Sequence, residues 1–180
     1  MGTRTLGVDP GEKRIGLALS DEDGTIAHPY KTIDGARSRA AAAEAIAAEA
    51  RANEVAAIVV GLPLRLDGTE GVAAIRARAL ASAIEKASGL DVVLWDERLT
   101  TAAADRVLRE AHIRASARRA VVDRIAAALL LQSYIDSLAT SRRETETWSE
   151  GDDERVVADP PLARDPRGRR GAGRARRRAR

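Results

Sequence analysis

The chain has no cysteine and no phenylalanine, only two histidines (His28 and His112), and only three lysines (Lys13, Lys31 and Lys86) among its 30 basic residues. Each shortage excludes something. Without cysteine there is no disulfide, no thiolate nucleophile and no Cys-ligated zinc or iron–sulfur site. Two histidines leave little for a His-rich metal centre. The aromatic residues are Tyr30, Trp95, Tyr134 and Trp148, so a core has to rest on Val, Ile, Leu and closely packed Ala, of which there are 37 in 180 residues. The longest wholly apolar run, Ile125 to Leu131, falls far short of the roughly 20 residues that span a bilayer. The N-terminus reaches Asp9 without the apolar stretch of a signal peptide. A cytoplasmic protein with no membrane partner is expected.

A mass of 19.2 kDa suits one domain with some chain left over. The net charge of +3 hides a split: Arg164 to Arg180 holds nine Arg against Asp165, whereas residues 1–163 hold 21 basic and 26 acidic residues. The body is therefore acidic and the basic pI belongs to a tail. The preference for 27 Arg over three Lys carries no functional argument.

Thr5 to Val8 and Ile15 to Leu19 read as strands joined by turn residues Pro10 and Gly11, and a third strand near Thr25 to Thr32 follows the turn Asp21 to Gly24. Ala36 to Ala52 reads as a helix capped by Asp34, packing through alanines around Ile46. Val55 to Val60 is a continuous β-branched run, the pattern of a central strand buried on both faces. After the loop Leu62 to Gly71, a second helix runs to about Ser88 and stops at Gly89, with Val72, Ile75, Ala79, Ala83 and Ala87 on one stripe. Asp91 to Trp95 is the last strand. A short helix from about Thr101 to Glu110 precedes a longer one from about Val121 to Leu138, whose Val122, Ile125, Leu129, Gln132 and Tyr134 surround it and clamp it to the sheet. The order β-β-β-α-β-α-β-α-α implies an α/β fold: a mixed five-stranded sheet, three antiparallel strands plus two βαβ units, flanked by helices. Residues 1–140 form the domain. Residues 141–180, acidic then Arg-rich, lack the apolar content for a core and are expected to be a disordered tail.

Three carboxylates stand at element ends: Asp9 leaving the first strand, Glu97 leaving the last, and Asp123 opening the long helix. Strand carboxyl ends share one rim of an α/β sheet, where ligands bind. Acidic groups gathered there repel one another and suit hard divalent ions, Mg²⁺ or Mn²⁺, and a two-metal site hydrolyses phosphodiesters without a histidine or a covalent nucleophile. The same residues also fit a turn residue, a surface acid and a helix cap. Spacing leaves both readings open, and Asp96 and Asp67 are rivals for the third carboxylate, since a one-residue shift reverses strand facing.

Gly7 to Asp21, reading GVDPGEKRIGLALSD, closely resembles the opening motif of the YqgF family, also called RuvX. These are bacterial RNase H-like proteins described as pre-16S rRNA nucleases and, earlier, as Holliday junction resolvase-like. Val60 to Gly71 (VGLPLRLDGTEG), Asp96 to Thr101 (DERLTT), and Val122 to Ala127 (VDRIAA) followed by Leu131 to Tyr134 (LQSY) resemble its later motifs, in order, so that the likeness covers roughly residues 4–138. The resemblance implies an RNase H-like fold and an acidic, metal-binding catalytic set at Asp9, Glu97 and Asp123. It also implies hydrolysis leaving 5′-phosphate and 3′-hydroxyl ends. Two positions depart: Arg65-Leu66 stands where the family usually has Asn-Met, and Val121 where a Lys is common, with Arg118 and Arg119 upstream. They bear on substrate preference and leave the carboxylates untouched.

Lys13 and Arg14, on the turn beside Asp9, are candidates for holding a substrate phosphate. Arg98 would either pair with a carboxylate or meet phosphate. Thr100 or Thr101 suits a helix cap, and His28 and His112 suit structural or exposed roles. The resulting expectation is a metal-dependent endonuclease that acts on RNA and trims the 5′ end of the 16S rRNA precursor, with the Arg-rich tail gripping the phosphate backbone. Branched DNA, a Holliday junction, is the alternative substrate; the chain is taken as monomer or homodimer. A non-catalytic RNA-binding or assembly factor is the alternative of another class. The Asp9 to Gly16 segment also resembles the phosphate loop of actin-like ATPases and sugar kinases, but those need a second domain for which this chain has no room.

Overall fold

In a computed structural model, residues 4–35, 38–99 and 115–150 are described. Five strands are present: β1 (Thr5–Pro10), β2 (Arg14–Ser20), β3 (Ala27–Asp34), β4 (Ala57–Leu62) and β5 (Asp91–Asp96). They form one sheet in the order β3-β2-β1-β4-β5. β1 pairs antiparallel with β2 and parallel with β4, β2 antiparallel with β3, and β4 parallel with β5. The helices are α1 (Arg39–Ala52), α2 (Val72–Ser88) and α3 (Ala115–Glu150), with a single 3₁₀ turn at Glu97–Leu99 after β5. The expected mixed sheet is therefore the observed one. The short helix expected at Thr101 to Glu110 lies outside the described residues.

Strand alternation divides the core in two. Leu6, Val8, Ile15, Leu17, Ile58 and Val60 point to one face, where α1 contributes Ala42, Ala43, Ile46 and Ala50 and α2 contributes Leu80, Ala81 and Ile84. On the other face Ala18 and Val59 meet Ala127, Ala128, Leu130, Leu131 and Ile135 of α3. Ile58, Val59 and Val60 have no exposed surface, as a strand covered on both faces requires. α3 is fastened by polar contacts as well: Gln132 accepts from the Ala27 amide at 2.9 Å and donates to the Thr25 carbonyl at 3.1 Å. Trp95 donates to Ser133 Oγ at 3.2 Å and packs edge-on against Tyr134, their ring centroids 5.3 Å apart.

Several boundaries differ from expectation for local reasons. β3 starts at Ala27 because the Asp21 carboxylate accepts from the amides of Thr25 and Ile26, prolonging the turn. Asp34 ends that strand, so it does not cap α1; Ser38 does, accepting from the Ala41 amide at 3.3 Å. On α2 the buried stripe is Ala74, Ala77, Leu80, Ala81 and Ile84, while Val72 and Ile75 are exposed. The buried stripe is rotated from the expected one because Leu80 and Ile84, the large side chains that reach the core, lie on it, with Ala74, Ala77 and Ala81 filling the space between. α3 buries Ala127, Ala128, Leu130, Leu131 and Ile135 and keeps Val122, Ile125, Leu129, Gln132 and Tyr134 half-buried, and it runs from Ala115 past Leu138 to Glu150. No proline or glycine occurs from Ala115 until Gly151, and a helix already anchored by packing propagates without a new nucleation cost.

Candidate active site

The alternation that separates the two cores also selects which side chains meet at the carboxyl rim. On β1, Gly7 faces α3, where a side chain would come within 2.8 Å of Leu131 Cβ. Asp9, two residues on, projects the same way. On β2, a Cβ at Gly16 would collide with the backbone carbonyl of Asp123. On β4, a Cβ at Gly61 would collide with the Glu97 carboxylate and sit 2.7 Å from Leu130 Cδ1. Three strand glycines thus let α3 and Glu97 come down onto the sheet beside Asp9.

Asp9 lies close enough to both Asp123 and Glu97 for their charges to act on one another. Burial, and then the charge of Asp123, raise the Asp9 carboxyl to about 6. Burial, then Asp9 and then Asp96, raise Glu97 to about 7. Repulsion in a water-poor site makes each group hold its proton more tightly. Asp123 carries an internal counter-charge: Arg14 Nε donates to its Oδ2 at 2.5 Å. Among the described residues there is no group of three or more His, Asp or Glu side chains disposed to hold a metal ion.

The remaining candidates separate from this set. Asp96 points away from Glu97's neighbours to Arg98, whose guanidinium donates to both of its oxygens and holds its carboxyl below the usual range. Asp67 accepts from the amide and hydroxyl of Thr69, which lower its carboxyl too. Arg98 reaches from Asp96 to the Leu66 carbonyl at 3.5 Å, so it ties the loop after β4 to the end of β5. That loop is a small hairpin closed by Arg65 N to Thr69 O at 3.0 Å, turning at Gly68 with φ 84°. Its tip exposes Leu66 almost completely, at 97%. Lys13 is exposed on the β1–β2 turn, its carbonyl accepting from the Gly35 amide at 3.0 Å. His28 is exposed on β3; Thr100, Thr101 and His112 lie outside the described residues.

Sequence reasoning missed Gly16 and Gly61. The signal was present, since an isolated glycine within a strand pattern marks close approach of another group. Which group approaches is a tertiary fact.

The family model described as "RuvX: Holliday junction resolvase" matches residues 3–137. The chain belongs to the RuvX family. A RuvX relative from Syntrophus aciditrophicus, named "Putative pre-16S rRNA nuclease", is 44% identical over 139 residues, covering 77% of this chain and 92% of that one. A relative of the same name from Pelotomaculum thermopropionicum is 44% identical over 141 residues, covering 78% and 92%. Among solved structures, T. thermophilus RuvC in complex with Holliday junction substrate aligns with a TM-score of 0.51 at 15% identity, covering 77% of this chain and 97% of that one. At that identity the likeness concerns the fold, which is RNase H-like. Among the described residues no helix is long and apolar enough to cross a membrane.

Proposed function

We propose that this RuvX protein is a divalent-metal-dependent endonuclease that hydrolyses phosphodiester bonds of structured RNA. Its substrate is the 16S rRNA precursor, trimmed at its 5′ end during ribosome assembly in the cytoplasm. The observation that carries the reading is the crowding of partly buried, mutually repelling carboxylates, Asp9 and Glu97, at the carboxyl rim beside Asp123. A site that raises two carboxyls to about 6 and about 7 is electrostatically incomplete near neutral pH without a cation.

The donor set fits a hard divalent ion. Oxygen ligands alone, with no Cys or His nearby among the described residues, suit Mg²⁺ or Mn²⁺ rather than zinc. Asp9 and Glu97 would hold it, joined by Asp123. When bound, such ions supply the positive charge that activates water near neutrality and stabilises a departing oxygen. The chain's own contribution is positional. The rigid ends of β1 and β5 hold Asp9 and Glu97, α3 closes one side, and Lys13 on the exposed turn beside Asp9 meets the phosphate backbone. Water adds to phosphorus as the 3′-oxygen departs, taking up a proton, which leaves a 5′-phosphate. The Arg164 to Arg180 segment adds non-specific grip on nucleic acid.

The relatives' names favour the rRNA precursor, and the family description favours a four-way junction as the second reading. Cleavage of both substrates, measured side by side with Mg²⁺, Mn²⁺ or EDTA, tests them. Cleavage of the RNA is expected to need the metal and to be lost in Asp9→Asn and Asp123→Asn. Cleavage that persists in both variants would overturn the site. Binding of RNA without cleavage would favour an assembly factor.

A further inference from the structure

At the rim of the sheet the charge of Asp123 is already answered from within the chain. Arg14 and Asp123 lie 109 positions apart in sequence, yet Arg14 Nε donates to Asp123 Oδ2 at 2.5 Å. Their side chains are 35% and 23% exposed, so the pair is only partly screened by solvent. The backbone around it is pinned on both sides. Gly16 admits the Asp123 carbonyl against β2, Thr32 Oγ1 donates to the Ala120 carbonyl at 2.9 Å, and the Gly35 amide donates to the Lys13 carbonyl at 3.0 Å. Two flexible surface side chains would lose much of their attraction to rotamer freedom; here the approach of the two backbones is set by packing.

The contact uses Nε alone. The hydrogen bond does not engage the two terminal nitrogens of the guanidinium, which are the atoms that form paired hydrogen bonds to a phosphate. The third carboxylate of the proposed site is thus turned to a guanidinium.

We propose that Arg14 is an internal counter-cation that competes with the divalent ion for Asp123, and that arrival of the ion frees Arg14 to bind a phosphate of the nucleic acid. The inference rests on the metal-dependent reading above and assigns Arg14 a positioning role within it. It makes metal and nucleic acid bind cooperatively through one side chain. By linkage, each must then strengthen the other by the same factor.

The test is a Mn²⁺ titration of the full-length protein without nucleic acid, followed by calorimetry or by the electron paramagnetic resonance of free Mn²⁺. Loss of a competing cation should tighten Mn²⁺ binding in Arg14→Gln by roughly fivefold to tenfold, the size of a partly buried ion pair. In Arg14→Lys the gain should be smaller, because an ammonium keeps the charge without the planar fork. Asp123→Asn should bind Mn²⁺ more weakly than wild type. With non-cleaving Ca²⁺, the ion should strengthen binding of a pre-16S RNA fragment in wild type and do so less in Arg14→Gln. Mn²⁺ affinity unchanged or weakened in Arg14→Gln overturns the proposal. If that variant does not fold, the same result in Arg14→Lys does so. Failure of the two readings is distinguishable. Tighter Mn²⁺ binding in the variant, with neither RNA nor junction cleaved by wild type, removes the nuclease and keeps the competition. Cleavage by wild type, with Mn²⁺ affinity unaltered in the variant, does the reverse.

Discussion

Glu97 occupies the space that a side chain on Gly61 would fill. Gly61 sits opposite Trp95 in the β4–β5 register, and Glu97 follows Trp95 by two residues, so both project to the α3 side. The carboxylate is brought over the sheet by a missing Cβ on the neighbouring strand. Gly16 does the same for the opening of α3, whose Asp123 carbonyl lies against it.

Gly61→Ala should therefore displace Glu97 and Leu130 together. Overpacking of this kind costs about 1–3 kcal/mol, and activity should fall further than stability, because Glu97 must move. Gly16→Ala meets backbone instead of a movable carboxylate, so it should destabilise more. Thermal melts and cleavage rates of the two variants check the order. A Gly61→Ala protein of wild-type activity would show that Glu97's position is immaterial.

The pH dependence of metal-free stability follows from the sign of two shifts. Asp9 and Glu97 rise from 3.8 to about 6 and from 4.5 to about 7. The folded state therefore binds more protons than the unfolded state between those values. Stability is full below the unfolded values and is lost as pH rises towards 7. For Asp9 alone the loss is on the order of 3 kcal/mol. Asp21, Asp67, Asp96 and Glu49, all lowered, act in the opposite sense, and only as pH falls through their unfolded range. The melting temperature in EDTA should drop from pH 5 to pH 8, and Asp9→Asn should flatten the drop. Saturating Mn²⁺ should offset it by mass action. A melting temperature that climbs over this range in EDTA would refute the electrostatic account.

Leu131 has no exposed surface and packs across Gly7. Leu131→Ala should destabilise by about 2–5 kcal/mol through lost burial and the cavity left behind. Because Asp123 is on the same helix, the variant should also weaken Mn²⁺ binding under conditions where it remains folded. Chemical denaturation and a Mn²⁺ titration report the two effects separately.

Truncation after Glu150 removes the nine arginines of Arg164 to Arg180 and leaves the described fold whole. Its melting temperature should match that of the full chain, while RNA affinity falls and its dependence on salt becomes shallower, as fewer counterions are released. An unchanged salt slope would mean that the arm does not touch the nucleic acid.

Much of the fold is legible in the sequence, because period-two and helical patterns record which faces are buried. The run Val55 to Val60 announced a covered strand, which the structure sets two residues later at Ala57–Leu62, and Gly89 ended α2 where expected, in the left-handed conformation with φ 70°. The readings that shifted were those where a side chain acted on distant backbone. Ser38 rather than Asp34 caps α1, Asp21 prolongs a turn, and Leu80 and Ile84 with three alanines, rather than Val72 and Ile75, form the buried face of α2.

Composition and spacing alone set the inventory: carboxylates without cysteine, scarcely any histidine, an acidic body and a basic end, and four motifs in family order. These are properties of composition and spacing, and folding does not alter them. Only the tertiary structure decided which acids meet. Asp96 and Glu97 are adjacent in the chain, but alternation and the vacancy at Gly61 send Glu97 towards Asp9, while Arg98 draws Asp96 to the loop that carries Leu66. Arg14's hold on Asp123 likewise belongs to no local pattern, since it arises only when α3 is laid across β2.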